Sequence, residues 1–249
     1  MSIADKLTTI AENEQKVYEA GYNKGTEDGI AQGEANGYWQ GYYGYHDEFW
    51  NAFQANGART DYHMAFSGGG WTNEIFKPKY DLILSAYGGY NMFNDSRLTG
   101  SLKDLLDNAG VTLDTSNCQH FSTMFSGSRF TELPVIDMSK CAASGNLCLG
   151  MTQLHTIEKI IMSETTATST SMFQDCLQLQ NIVFEGVLAK SISFANCSIL
   201  TNETVQSLID ILKDLTGGTA QTLTLHATVK NNLTEEQKAQ ITSKNWTLA

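Results

Sequence analysis

Residues 172–186 read MFQDCLQLQNIVFEG, and the reading of this stretch decides the fold. Phe173, Cys176, Leu179 and Ile182 fill a pattern F-x-x-C-x-x-L-x-x-I. Cys148, Met151, Leu154 and Ile157, 25 residues earlier, hold the same four places. Phe125, Ser128, Phe130 and Leu133 fit with one residue deleted, and Phe194, Cys197 and Leu200 match the first three places. Phe125, Cys148, Phe173 and Phe194 are thus spaced by 23, 25 and 21 residues. Cys118 and Cys141, in the phrases Ser-Asn-Cys and Ser-Lys-Cys, also stand 23 apart. Self-similarity at such a period predicts a repeat architecture. Each unit would supply one short strand, such as 181–185 with Ile182 and Val183 on opposite faces, and could keep its apolar face dry only against its neighbours. The predicted repeat core is Phe125, Leu133, Cys148, Leu154, Ile157, Phe173, Cys176, Leu179, Ile182, Phe194, Cys197 and Leu200.

The stretch MFQDCLQLQNIVFEG resembles the bacterial leucine-rich repeats of BspA type, which occur in surface proteins of gut and oral bacteria. Phe173, Cys176, Leu179 and Ile182 carry the resemblance, which covers roughly residues 112–200 and is close only in this third repeat. The tail LTLHATVKNNLTEEQKAQITSKNWTLA (223–249) is similar to the endings of repeat proteins encoded by bacteriophages and prophages of gut bacteria. The opening IADKLTTIAENEQKVYEAGYNKG (3–25) and RTDYHMAFSGGGWTNEIFKPKYD (59–81) resemble the same group, which implies a virion-associated role.

Outward from the repeats, residues 202–215 are amphipathic, with Val205, Leu208, Ile209, Leu212 and Leu215 on one side of a helix that Gly217-Gly218 would stop. Thr222–Ala227 alternates as a strand. Thr234-x-x-Gln237 has the form of a capping box opening a second helix, and Trp246-Thr247-Leu248 makes a last strand. Leu223 and Thr247 are 24 apart, so both strands are expected to extend the repeat sheet.

Towards the N-terminus, residues 1–20 read as a helix whose Ile3, Leu7, Ile10 and Val17 form a seam compatible with a coiled coil, interrupted by Glu14. Gly21, Gly25, Gly29, Gly33, Gly37 and Gly41 then recur every four residues. Each would cost a helix about 1 kcal/mol relative to Ala, so six in register point to close approach of a partner backbone, the alternative being a flexible linker. Residues 46–100 are rich in aromatics, expected to build a small core or close one end of the repeats. The alternative is a sugar-stacking surface, with Trp71, Tyr80, Tyr87 and Tyr90 as the ligand-facing candidates. The domain plan is 1–45 for anchoring and self-association, 46–111 for an aromatic cap, 112–200 for the repeats, and 201–249 for a helix-strand-helix-strand cap.

Composition narrows the function. A formal charge of −11 disfavours nucleic acid as a partner. The start MSIADKLTTIAENEQ has neither the basic nor the apolar region of a secretory signal, and no apolar run reaches the ~20 residues that span a bilayer. Five cysteines without a CxxC pair argue against a disulfide framework and against zinc. His46, His63, His120, His155 and His226 stand apart from one another, and neither a GxSxG elbow nor a phosphate loop is present. The sequence therefore predicts an α/β repeat protein: an N-terminal helix, a short leucine-rich-repeat-type solenoid and an α/β C-terminal cap. The expected function is non-enzymatic, with no cofactor and no metal. The chain would be a phage tail-fibre, receptor-binding or other virion-surface protein, made in the bacterial cytoplasm. It would act as a homo-oligomer, with a trimer as the guess, on other virion proteins or a bacterial cell-surface protein or glycan. A bacterial cell-surface or secreted adhesin is the alternative.

Overall fold

The computed structural model describes residues 62, 64–68, 71–74 and 76–249. The predicted self-association residues Ile3, Leu7, Ile10, Val17, Gly21, Gly25, Gly29, Gly33, Gly37 and Gly41 lie outside them. The order of elements is β1 (Leu82–Ile83), β2 (Thr99–Ser101), α1 (Leu102–Ala109), β3 (Leu113–Asp114), β4 (Arg129–Asp137), β5 (Thr156–Met162), β6 (Asn181–Gly186) and β7 (Ile192–Phe194). It continues with α2 (Asn202–Asp210), β8 (Gln221–Leu225), α3 (Ala227–Asn231), α4 (Glu235–Ser243) and β9 (Trp246–Leu248). Every strand pair is parallel, which requires a crossover between partners. Among the described residues the strands form three separate sheets, β1-β3, β2-β4-β5-β6 and β7-β8-β9.

This arrangement corrects the predicted solenoid. The described chain is an α/β fold with three parallel sheets and four short helices, and no leucine-rich-repeat solenoid or repeat is found. Paired residues are separated unevenly, and the segments between them differ in kind. Thr99 faces Arg129 and Ile192 faces Leu223, across intervals that hold α1 and α2, whereas Glu132 faces Thr156 and Thr156 faces Asn181 across shorter, helix-free ones.

The physical break is clearest at β6. Where a further strand would pair, α2 supplies side-chain hydroxyls. Ile182 N–H donates to Thr204 Oγ1 at 2.9 Å and Phe184 N–H to Ser207 Oγ at 3.2 Å. These bonds satisfy the edge donors of β6 without a strand and end the four-stranded sheet there. Gly186 closes β6 in a left-handed conformation (φ 94°), where a side chain would run into the Met162 carbonyl. The next strand, β7, belongs to the other sheet, so β8 and β9 extend β7 and not the sheet of Ile182, contrary to the sequence expectation.

Local signals held better than the global plan. Thr234 accepts from Gln237 N–H while the Gln237 side chain accepts from Thr234 N–H, the capping box expected before α4. Thr201 caps α2 by accepting from Thr204 N–H. That helix ends at Asp210, earlier than predicted, because Leu212 leaves it to pair in parallel with Leu188. The first strand, β1, is only two residues long, Leu82–Ile83.

The core is continuous behind the sheets. All twelve predicted core residues are buried, together with Phe93, Phe121 and Phe130. Phe173 stacks on Phe194 (centroids 4.8 Å, 13°) and Phe93 on Phe125 (5.7 Å, 9°). Turns pair as the strands do: Phe93 N–H donates to the Met124 carbonyl at 2.7 Å, Phe125 N–H to Leu147 at 2.9 Å and Cys148 N–H to Met172 at 2.8 Å. No helix among the described residues is long and apolar enough to cross a membrane.

Candidate binding surface

The four aromatic candidates separate into two environments. Trp71 is half-buried and packs edge-on against Phe66 (5.2 Å) and Phe76 (6.4 Å), in a cluster that reaches Phe93. Its place is structural: offset and edge-on rings fill the space above the first turns of the described unit. Tyr80, Tyr87 and Tyr90 are exposed.

Tyr87 is the most exposed large hydrophobic side chain among the described residues, at 62%, and its ring is held from below. It stacks on His120 with centroids 4.1 Å apart and planes 15° from parallel. The pairing is built by backbone. Both Gln119 N–H and His120 N–H donate to the Ala86 carbonyl, at 2.8 and 2.9 Å, which brings the residue before Tyr87 against the residue before His120. His120 is in turn bridged in parallel to Ala143. Tyr90 N–H donates to the Tyr87 carbonyl at 3.2 Å, so both tyrosines belong to one tight turn. Gly89 lies where any side chain would press on Cys118 Sγ and the His120 carbonyl, which lets this turn approach so closely.

Sequence reasoning placed Tyr87 among the candidates but left His120 as an isolated residue. The two are far apart in the chain, and no periodicity links them. The parallel pairing of their turns joins them, and only coordinates carry that information.

The cysteines are a different matter. All five are free and buried, which places them in the core. Burial pushes the Cys118 thiol up to about 11 and the Cys141 and Cys197 thiols up to about 12, and raises Cys148 and Cys176 as well. Cys176 Sγ donates to the Cys148 carbonyl at 3.0 Å, so even the polar end of this thiol is directed inward. A thiol held protonated and out of water is a small apolar side chain and a poor nucleophile. Among the described residues no group of three or more His, Cys, Asp or Glu is placed to hold a metal ion.

A shallow groove of about 240 Å³ runs between α1 and the outer face of β4 and β5. Leu106, Val111, Pro134 and Val135 line it, with Lys103 and Glu158 at its rim. Lys103 is committed to an ion pair with Asp107 one helical turn away. The outer face of the four-stranded sheet continues from this groove, where Val183 is exposed and Lys159 pairs with Glu185 at 2.7 Å. The groove offers contact area without converging hydrogen-bonding groups, whereas the Tyr87 turn offers a fixed ring beside polar side chains. No family model, no curated protein and no solved structure matches this chain.

Proposed function

We propose that this chain is a non-enzymatic binding protein of a phage virion, a tail-fibre or other virion-surface component that presents its α/β unit to a bacterial cell or to a neighbouring virion protein. The observation that carries the reading is the Tyr87 ring, 62% exposed and stacked on His120. A large ring held in one orientation in water loses little conformational freedom on contact, the property that makes tyrosine a frequent anchor in binding surfaces. The resemblance of residues 3–25, 59–81 and 223–249 to phage-encoded proteins supports the virion setting. In this reading the N-terminal seam and glycine row would assemble several copies, and weak sites would then act together by avidity.

The test has two parts. Protein mass spectrometry of purified virions should recover the chain in fixed proportion to known capsid and tail components. The purified chain, labelled, should bind host cells in solution, and light scattering should report an oligomer. Recovery only from the envelope of uninfected cells would replace the virion reading by that of a bacterial adhesin. Failure to associate with either virions or cells would end the binding reading.

A further inference from the structure

The Tyr87 surface supports a narrower statement about the partner, one that rests on the binding role proposed above. The chain carries 27 acidic and 16 basic residues, yet 82–94, 115–128, 141–157 and 165–174 contain no Asp, Glu, Lys or Arg. These stretches are separated in sequence but lie side by side in the fold. Beyond the bonds to Ala86, Ala142 and Ala143 N–H both donate to the Gln119 carbonyl, at 2.8 and 3.0 Å, and Ala167 N–H donates to the Cys141 carbonyl at 2.9 Å. A second set of bonds ties Asn91 N–H to the Ser122 carbonyl (3.1 Å) and Thr123 N–H to the Gly145 carbonyl (2.9 Å). The result is one uncharged face on a strongly acidic protein.

Its relief is as distinctive as its charge. Ala86, Ala143, Gly145 and Ala167 are half-buried and short, and on the same paired turns Tyr87 stacks on His120 while Tyr90 and Gln119 are exposed. In the second set of paired turns, Asn91 and Thr123 are hydrogen-bonded to each other through their side chains, and Gln119, the residue before His120, is exposed. Thr123 holds a φ of 56°, a conformation that a β-branched residue adopts only when its surroundings impose it. Lys140 borders the face, and its Nζ donates to Asn117 Oδ1 at 2.6 Å.

A charged partner is recognised by opposite charge, which this face does not offer. Short residues without charge, an exposed aromatic ring stacked on His120, and amide and hydroxyl side chains on the same paired turns match an uncharged sugar. The C–H face of a pyranose packs on an aromatic ring, and its hydroxyls both donate to and accept from Asn, Gln and Thr side chains. We propose that this face docks a neutral polysaccharide, with Tyr87 as the ring on which a sugar stacks and Asn91 and Gln119 as its hydrogen-bonding neighbours.

Native affinity electrophoresis of the full chain tests this, with gels containing a neutral glucan, mannan or galactan, or the anionic polymer alginate, at low and at high salt. The expected result is retardation by at least one neutral polymer at both salt concentrations and none by alginate. Tyr87→Ala should weaken the retardation on the order of tenfold, Tyr87→Phe should preserve it, and Gln119→Ala should weaken it less than Tyr87→Ala. Circular dichroism melts of each variant report folding, and should Tyr87→Ala unfold, Gln119→Ala and Asn91→Ala take its place. Absence of retardation in every neutral gel, retardation by alginate that salt abolishes, or equal retardation of folded Tyr87→Ala and the parent each overturns the assignment. If host-cell binding persists while the neutral gels fail, a protein or charged partner replaces the sugar and the broader binding role stands. If cell and virion association are absent too, the broader role is what fails.

Discussion

Two ring stacks of similar geometry divide the labour of this molecule. Phe173 lies on Phe194 at 4.8 Å and 13°, Tyr87 on His120 at 4.1 Å and 15°. The first pair is 1% and 0% exposed, whereas Tyr87 of the second is 62% exposed. The local geometry is nearly the same, and the surroundings decide what it does. A buried stack contributes through the apolar area it keeps from water and the cavity its loss would leave. An exposed stack contributes little to stability and holds a ring where a partner can reach it. Aromatic content by itself therefore says nothing about whether a region is core or binding surface.

The largest effect that would sharpen this comparison is Phe173→Ala, expected to lower the stability of the unit by about 3–5 kcal/mol in urea denaturation, since the ring has no exposed side into which the structure can relax. A loss under ~1 kcal/mol would erase the distinction between the two stacks. Next comes Thr204→Val, which keeps the shape of the side chain but removes the hydroxyl that accepts from Ile182 N–H and donates to the Gln180 carbonyl at 2.9 Å. Leaving that buried edge donor unpaired should cost about 1–3 kcal/mol, and amide exchange at Ile182 should accelerate. An unchanged urea midpoint would mean that α2 does not close the sheet.

The buried thiols give a third, pH-dependent test. Their folded pKa values lie above those of the unfolded chain, so the folded state retains protons that the unfolded state releases. The sign follows: their stabilising contribution is complete below about 9 and is lost as pH rises towards about 11 for Cys118 and about 12 for Cys141 and Cys197. The unfolding free energy from urea titrations should fall across this window, by no more than ~1.4 kcal/mol per pH unit for each thiol, and fall less steeply in Cys141→Ala. At neutral pH a thiol reagent should label none of the five until the protein unfolds, and rapid labelling of the folded chain would contradict their burial. The smallest effect is expected at the other stack. Tyr87→Ala should change stability by less than ~0.5 kcal/mol while it reduces binding, and a large stability loss would make Tyr87 a second Phe173.

The sequence pattern carried the burial list well and the architecture poorly. Phe173, Cys176, Leu179 and Ile182 are apolar at fixed spacing, and side chains that leave water together are legible as such. The capping box at Thr234 and Gln237 is equally local, because four consecutive residues contain both of its bonds. The predicted solenoid failed because near-equal spacing of apolar residues does not determine which strand pairs with which. The intervals holding α1 and α2 are longer than those between β4, β5 and β6, and the hydroxyls of Thr204 and Ser207 meet the edge of β6 before any strand does. Nothing in the order NETVQSLID announces that these two hydroxyls will serve as strand partners.

By itself, the order of amino acids determined which side chains would be withdrawn from solvent, where α2 and α4 begin, and that long uncharged stretches interrupt an acidic chain. These properties depend on residue chemistry and on neighbours within a few positions. Tertiary structure alone decided that the strands divide among three sheets, that His120 lies under Tyr87, and that the uncharged stretches share one face. Each of those outcomes depends on hydrogen bonds between residues more than twenty positions apart, and such a bond is selected by the competition of all donors and acceptors in the folded chain.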